Sequence, residues 1–283
     1  MSNIKSLIVD IQQLIKEKVR LKDEDLWSAF GKDVSARLSI QFVKEHKPTL
    51  RLSAMGDRCP KALWYSIYHP ELSEPLPPWA EIKYSFGHMI EALAVTLAKA
   101  AGHEVTGEQD ELVLDGIVGH RDCVIDGCTV DVKSAATFSF NKFKGSSFLD
   151  TFGYLDQLDG YILASKDDPL VRLKDGGFLF VIDKQLGHMH LYEHHTTEDR
   201  ANILKARIKH YKAIVANPIP PACECGTQVE SNGNIRLDLK ASYSPFKKCC
   251  FPLLRTFLYA SGPVFLTKVV KRPFNKDGPI PEV

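Results

Sequence analysis

The sequence predicts a mixed α/β fold, a β-sheet flanked by helices and preceded by a helical extension. Three observations predict it. Asp126-Gly127 is a strong two-residue hairpin signal between two strand-like runs. Stretches with helical spacing lie on either side of that hairpin, and a second strand pair with a long final helix follows. Helix, strands, helix, strands, helix is the order of a layered α/β sandwich.

From the N-terminus, residues 4–45 space apolar side chains such as Ile4, Leu7, Ile8, Ile11, Leu14 and Ile15 as a helix does, which predicts a helical extension packed on the core. Pro70, Pro75, Pro77 and Pro78 forbid continuous helix and mark a loop. A helix from about Tyr84 to Ala101 then places Phe86, Ile90, Leu93, Leu97 and Ala101 on one stripe. Glu91 sits beside that stripe, where an unpaired acid is costly to bury. A metal, a salt bridge or exposure on the helix flank would each explain it.

Leu112 to Leu114, His120 to Ile125 and Cys128 to Lys133 read as strands. Phe148 to Ala164 reads as a helix carrying Gln157 and Tyr161, with Leu155, Leu158 and Ile162 on its other side. Beyond the turn at Lys174-Asp-Gly-Gly177, Phe178 to Ile182 and Met189 to Tyr192 form a hairpin that extends the sheet. The last long helix begins at Thr196, where Thr196-x-x-Asp199 resembles a capping box, and Ile203, Leu204, Ile208, Tyr211 and Val215 supply its apolar stripe.

The Asp126-Gly127 hairpin carries the chemistry. With those two residues as the loop, Ile125 pairs with Cys128, Asp122 falls opposite Asp131, and His120 falls opposite Lys133. Alternation then puts Asp122, Asp131 and Lys133 on one face and Cys123 and Cys128 on the other, towards the core. Carboxylates directly opposite each other would lie about 5 Å apart and destabilise the ladder. A divalent cation offsets that repulsion, because hard oxygen ligands suit Mg²⁺ or Mn²⁺, and the lysine can then address a phosphate or a water. A polar hairpin face in solvent is the bland alternative.

Gly119…Asp122 followed by Asp131-Val132-Lys133 resembles the core of PD-(D/E)xK nucleases. Gln157-Leu-Asp-Gly-Tyr161 is similar to the Gln-x-x-x-Tyr motif of the RecB-type exonuclease branch, whose spacing projects both side chains from one helix face. Phe86-Gly87-His88-Met89-Ile90-Glu91 resembles that branch's first motif, and Arg58-Cys59-Pro60-Lys61-Ala62-Leu63-Trp64-Tyr65 its viral and CRISPR-associated opening. The motifs stand in family order over roughly residues 53–165. The resemblance implies a restriction-endonuclease-like sheet, with metal held by Glu91, Asp122, Asp131 and the carbonyl of Val132. It further implies that Lys133 assists hydrolysis while Gln157 and Tyr161 orient the strand or the lysine.

The remaining cysteines are Cys59, Cys223, Cys225, Cys249 and Cys250. Relatives with the Cys-Pro opening often hold an iron–sulfur cluster through that cysteine and three near the C-terminus. In Ser242-Tyr-Ser-Pro-Phe-Lys-Lys-Cys249 serines stand at or near ligand positions, so Cys223-x-Cys225 supplies replacements or the cluster is lost; zinc is the other option. Seven cysteines is an odd number, and a reducing compartment disfavours disulfides. His188, His190, His194 and His195 are expected to be solvent-exposed, and Trp64 and Tyr65 to be helix-packing aromatics. Lys142 and Lys144 follow the hairpin closely enough to contact phosphate.

The bulk properties fit an intracellular enzyme. At 283 residues, 44% hydrophobic and 25% charged, the chain is long enough for one large domain with appendages. No apolar run reaches the roughly 20 residues of a membrane span, and the N-terminus lacks a signal-peptide pattern, so a cytoplasmic location is expected, that of the host cell if the chain is viral. A net charge of +1 leaves nucleic-acid attraction to local patches. The expected organisation is an extension at 1–50, a nuclease core at 51–216 and a cysteine-containing segment at 217–283 packed on it. The expected activity is a metal-dependent DNA exonuclease acting on linear DNA, in recombination, replication or degradation. A structure-specific or CRISPR-adaptation-type endonuclease is the alternative with the same chemistry, and a non-catalytic nuclease-derived DNA-binding module is the alternative of another class.

Overall fold

A computed structural model describes residues 3–17, 23–43, 48–56, 58–145, 148 and 150–283. Parts of the expected N-terminal helix, at 18–22 and 44–45, lie outside the described residues, as does position 149 of the helix expected from Phe148. In chain order the helices and strands are α1 (Leu7–Glu17), α2 (Glu24–Val43), α3 (Pro60–Tyr68), α4 (Pro78–Ala100), β1 (Val105–Thr106), β2 (Glu111–Leu114), β3 (Ile117–His120), β4 (Cys123–Ile125), β5 (Cys128–Ala135), α5 (Thr137–Phe143), α6 (Tyr154–Ala164), β6 (Gly176–Asp183), β7 (Met189–His195) and α7 (Glu198–Ala216). Then come β8 (Thr227–Val229), β9 (Ile235–Leu237), α8 (Leu239–Ser242), α9 (Lys247–Cys250), β10 (Arg255–Tyr259), β11 (Gly262–Lys268), β12 (Phe274–Asn275) and β13 (Gly278–Pro279).

The chain divides into two compact units, Met1–Gly56 with Pro77–Ala206, and Asp57–Leu76 with Arg207–Val283. The first is a mixed α/β layer structure. Its five-stranded sheet runs β1-β4-β5-β6-β7, with β5 and β6 parallel and every other neighbour antiparallel. One face buries Cys123, Ile125, Cys128, Val130, Val132, Phe178, Phe180 and Ile182 under Ile4, Leu7 and Ile11 from the N-terminal helical region and Ala94, Val95 and Ala98 of α4. The other buries Ala135, Leu179 and Val181 under Phe140 and Phe143 of α5 and Leu155, Leu158 and Ile162 of α6. A buried side chain of this size contributes about 1.5–3 kcal/mol, so β5 and β6, covered on both faces, anchor the unit.

The Asp126-Gly127 turn forms as expected, with φ of +50° and +75°, the pair of left-handed residues a type I′ hairpin requires. Beyond it the expected register holds for three pairs and then ends, so Asp122 and Asp131 are not a ladder pair. The ladder runs Ile125 to Cys128, Val124 to Thr129 and Cys123 to Val130, where β4 ends. His120 pairs with Glu111 in the separate β2-β3 hairpin, not with Lys133. The single strand expected from His120 to Ile125 is therefore two. Its break is at Arg121, whose buried guanidinium reaches Asp110 at 2.6 Å and Asp168 at 2.5 Å.

Helix boundaries also shift, each for a local reason. α4 begins at Pro78 rather than near Tyr84, because a proline at the first helical position gives up an N–H that has no partner there anyway. Phe86 is exposed, and the packed face of α4 runs instead through Ala94, Val95 and Ala98 with Ile90, Leu97 and Ala101 beside them. α6 begins at Tyr154 rather than Phe148: Gly153 sits at φ +76°, and Asp150 accepts from the N–H groups of Tyr154 (2.9 Å) and Leu155 (2.7 Å). α7 begins at Glu198, where Thr197, not Thr196, caps by accepting from Arg200 N at 3.3 Å. Its buried residues are Leu204, Ile208, Tyr211 and Ile214, with Ile203 exposed.

The second unit contains α3, a four-stranded sheet in the order β10-β11-β9-β8, the short helices α8 and α9, and the β12-β13 pair. Phe257, Leu266 and Ile280 form its small core. Trp64 is buried and donates from Nε1 to Asn217 O at 2.8 Å, the packing role expected of it.

Candidate functional site

The site is built at the edge of β5. β4 stops at Cys123, so it does not cover β5 beyond Val130. Into that gap Asp122 places its carboxylate, and Oδ2 accepts from Val132 N at 2.7 Å. The side chain thus stands where a strand partner would be. In a strand a residue's C=O faces the same edge as its N–H, so the Val132 carbonyl lies on this edge too.

Asp131 and Lys133 leave β5 on the face opposite the Val130 and Val132 side chains. Lys133 Nζ lies 2.6 Å from Asp131 Oδ2 and donates to Gln157 Oε1 at 3.2 Å. Gln157 Nε2 in turn reaches Asp131 Oδ1 at 3.3 Å and Tyr161 OH at 2.9 Å. One turn of α6 separates Gln157 from Tyr161, so both project at the same side of β5. The Lys133 ammonium also lies 5.1 Å from the centre of the Tyr154 ring, within cation–π reach.

Glu91 approaches from α4. Its Oε1 accepts from Arg37 Nη1 of α2 at 2.5 Å and from Gln109 Nε2 at 2.7 Å, and Arg37 Nε is held by Asp33 at 2.9 Å. Burial pushes the Glu91 carboxyl above its ordinary range, with Arg37 acting the other way. Asp122 is pushed well above the ordinary value, first by burial and then by the charges of Glu91 and Asp131. Burial also raises Asp131, against the pull of Lys133. For Lys133, burial opposes charge, but Asp131 and Asp122 outweigh it and raise the ammonium above its ordinary range.

Three carboxylates that each feel a neighbour's charge, with a carbonyl on the same edge, make a donor set of the hard-oxygen kind that suits Mg²⁺ or Mn²⁺. That fit is chemical. Among the described residues, the group of three or more Asp, Glu, His or Cys ligand atoms lying within 4.8 Å of one another is a set of thiols, so the acids are not drawn as closely together. Arg37 engages Glu91, and Lys133 engages Asp131.

Sequence reasoning missed Arg37, Gln109 and Tyr154. Nothing marks Arg37 within a helix of mixed composition, and Gln109 is placed by a left-handed residue, φ +57°, in a loop. It also mistook His194 for an exposed residue. His194 is buried, and its Nε2 lies 2.7 Å from Asp159 Oδ1; Arg200 Nε reaches Asp159 Oδ2 at 2.7 Å, and the Thr196 hydroxyl donates to Oδ1. That cluster fastens β7 to α6. His188 and His195 are exposed and His190 is half-buried. Lys142 and Lys144 are exposed, lying over the rings of Phe138 and Phe140.

In the second unit, Cys59, Cys223, Cys225 and Cys250 converge, with Sγ atoms all within 4.8 Å of one another; Cys249 is not among them. Hydrogen bonds from Cys225 and Cys250 hold the Cys59 thiol well below its ordinary value. Cys123 and Cys128 are buried in the sheet core, as expected.

No family model and no curated protein matches the chain. Among solved structures it is similar to SSO0001, at 18% identity over 78% of this chain and 93% of that one, with a TM-score of 0.42. It is also similar to the alkaline exonuclease LHK-Exo from Laribacter hongkongensis, at 13% identity over 41% of this chain and 58% of that one, TM-score 0.33. The complex of LHK-Exo with dAMP aligns at 12% identity over 64% and 86%, TM-score 0.39. Likenesses this distant transfer no activity, so the functional reading stands on the site's own geometry. No helix among the described residues is long and apolar enough to cross a membrane.

Proposed function

We propose that the chain is a metal-dependent DNA exonuclease of the RecB-like branch of PD-(D/E)xK nucleases. The observation that carries this reading is the linked set Asp131, Lys133, Gln157 and Tyr161 beside Asp122 at the open edge of β5. Motif residues that could each be ordinary surface polar groups meet in one hydrogen-bonded cluster.

Glu91, Asp122, Asp131 and the Val132 carbonyl would hold Mg²⁺ or Mn²⁺, which when bound supplies charge neutralisation and a more acidic water. The chain's own residues do the rest. Lys133 is kept protonated by Asp131 and Asp122, which favours its role as a fixed positive charge facing a phosphoryl oxygen over that of a base. Gln157 holds Lys133 and Asp131 in a fixed relation, and the Tyr161 hydroxyl fixes the Gln157 amide. Lys142 and Lys144 would meet the backbone phosphates of the bound strand.

Gln157 and Tyr161 match the exonuclease branch, and this favours a need for DNA ends. A structure-specific or CRISPR-adaptation-type endonuclease would use the same residues, while a purely binding module gains little from retaining repelling acids. The test is digestion of end-labelled linear and covalently closed circular DNA with Mg²⁺ or Mn²⁺. Degradation of the linear DNA with survival of the circle supports the exonuclease; rapid linearisation of the circle supports the endonuclease.

A further inference from the structure

We propose that Cys59, Cys223, Cys225 and Cys250 form a closed tetrahedral site for a single zinc ion, and that an iron–sulfur cluster does not fit there. Spacing decides between the two. Four thiolates about 2.3 Å from one ion, at tetrahedral angles, lie about 3.8 Å from each other. Cys59 Sγ is 3.8 Å from Cys250 Sγ and 4.0 Å from Cys223 Sγ, and no pair in the set exceeds 4.8 Å. In a cluster the thiolates bind different irons, which spreads several of the pairs well beyond the separation set by a single ion.

Local structure explains why these four cysteines meet. Cys59 is the N-cap of α3 and is followed by Pro60, so its sulfur stands at the positive end of a nine-residue helix. Cys223 and Cys225 flank a single residue in a segment outside any helix or strand, so the chain brings both sulfurs to one place within three residues. Cys249 and Cys250 are adjacent in α9, about 100° apart around the axis, so only one can face the site. Cys250 is the buried one.

A tetrahedral all-thiolate set suits zinc, and with four protein ligands no position is left open for substrate. Each coordinated thiol gives up its proton on binding. The site therefore joins three segments far apart in sequence, and its binding energy adds to the folding energy of the second unit.

The full-length chain, purified under anaerobic conditions without added metal, should be assayed for zinc, iron and acid-labile sulfide. One zinc per chain, no visible absorbance, and intense tetrahedral thiolate bands after replacement by Co²⁺ are expected. Cys223→Ser and Cys250→Ser should each lose the zinc and lower the thermal midpoint, whereas Cys249→Ser should retain both. If the variants do not fold, the metal content and Co²⁺ spectrum of the unsubstituted chain decide alone. Iron in place of zinc, with or without sulfide, overturns the proposal. So does a metal-free, folded chain that takes up no zinc when it is added, and so does loss of zinc in Cys249→Ser.

Discussion

Arg37 Nη1 lies 2.5 Å from Glu91 Oε1, so an arginine of α2 occupies the very carboxylate that the motif pattern assigns to metal. The arginine is itself buried, with a side chain only 10% exposed, and is held from behind by Asp33. A divalent cation would have to share or take that carboxylate. Arg37→Gln should therefore tighten Mn²⁺ binding by about tenfold, the scale of one charge-assisted hydrogen bond. The same change should lower metal-free stability by about 3 kcal/mol, because removing one member of a buried pair leaves the other uncompensated. Calorimetric Mn²⁺ titration and urea unfolding read the two effects; unchanged affinity in a folded variant would show that Glu91 is not a ligand.

Asp122 leads to a pH prediction. Burial and two neighbouring acids raise its folded-state pKa well above the ordinary carboxylate value, and Glu91 and Asp131 are raised with it. The folded chain then keeps protons that the unfolded chain has released. Its metal-free stability should fall as pH climbs from the ordinary carboxylate range through the raised values. Asp122→Asn should flatten that decline and be at least as stable as the parent at neutral pH, since an amide oxygen can still accept from Val132 N. Thermal melts across pH with chelator present test this, and a stability loss in the variant at neutral pH would contradict it.

Gly153 sets where α6 begins, and hence where Gln157 and Tyr161 lie. It sits at φ +76°, and a Cβ added there would meet Gly56 Cα at 2.6 Å, a backbone atom that cannot swing away. Gly153→Ala should cost about 2 kcal/mol from left-handed strain plus the clash. Cleavage should fall with it, because α6 must shift. Urea unfolding of the variant checks the magnitude; a change below the error of that measurement would mean the turn relaxes freely.

Legibility in the sequence followed the range of the forces involved. Turn chemistry is local, so Asp126-Gly127 fixed the hairpin, and alternation along β5 then placed Asp131 and Lys133 on one face and Cys128 in the core. Helical spacing is also local, and it paired Gln157 with Tyr161. The expected register held as far as Cys123 and Val130 but not beyond, because two acids far apart in sequence, Asp110 and Asp168, pull the Arg121 side chain inward and end the ladder. Arg37 and His194 were unreadable for the same reason: their partners, Glu91 and Asp159, lie 54 and 35 residues away. Among five candidate cysteines, only packing distinguished Cys250 from Cys249.

On the proposed function, the Asp131–Lys133 pair at the open edge of β5 performs metal-dependent hydrolysis of DNA. The deciding measurement incubates end-labelled linear DNA and Mn²⁺ or Mg²⁺ with the parent chain, Asp131→Asn and Lys133→Ala, each first shown to be folded. The parent should release nucleotides or short oligomers only when metal is present, and each substitution should slow this by a factor on the order of 10²–10³ or more. Cleavage by Asp131→Asn or Lys133→Ala at the parent's rate, or no metal-dependent cleavage by the folded parent, would contradict it.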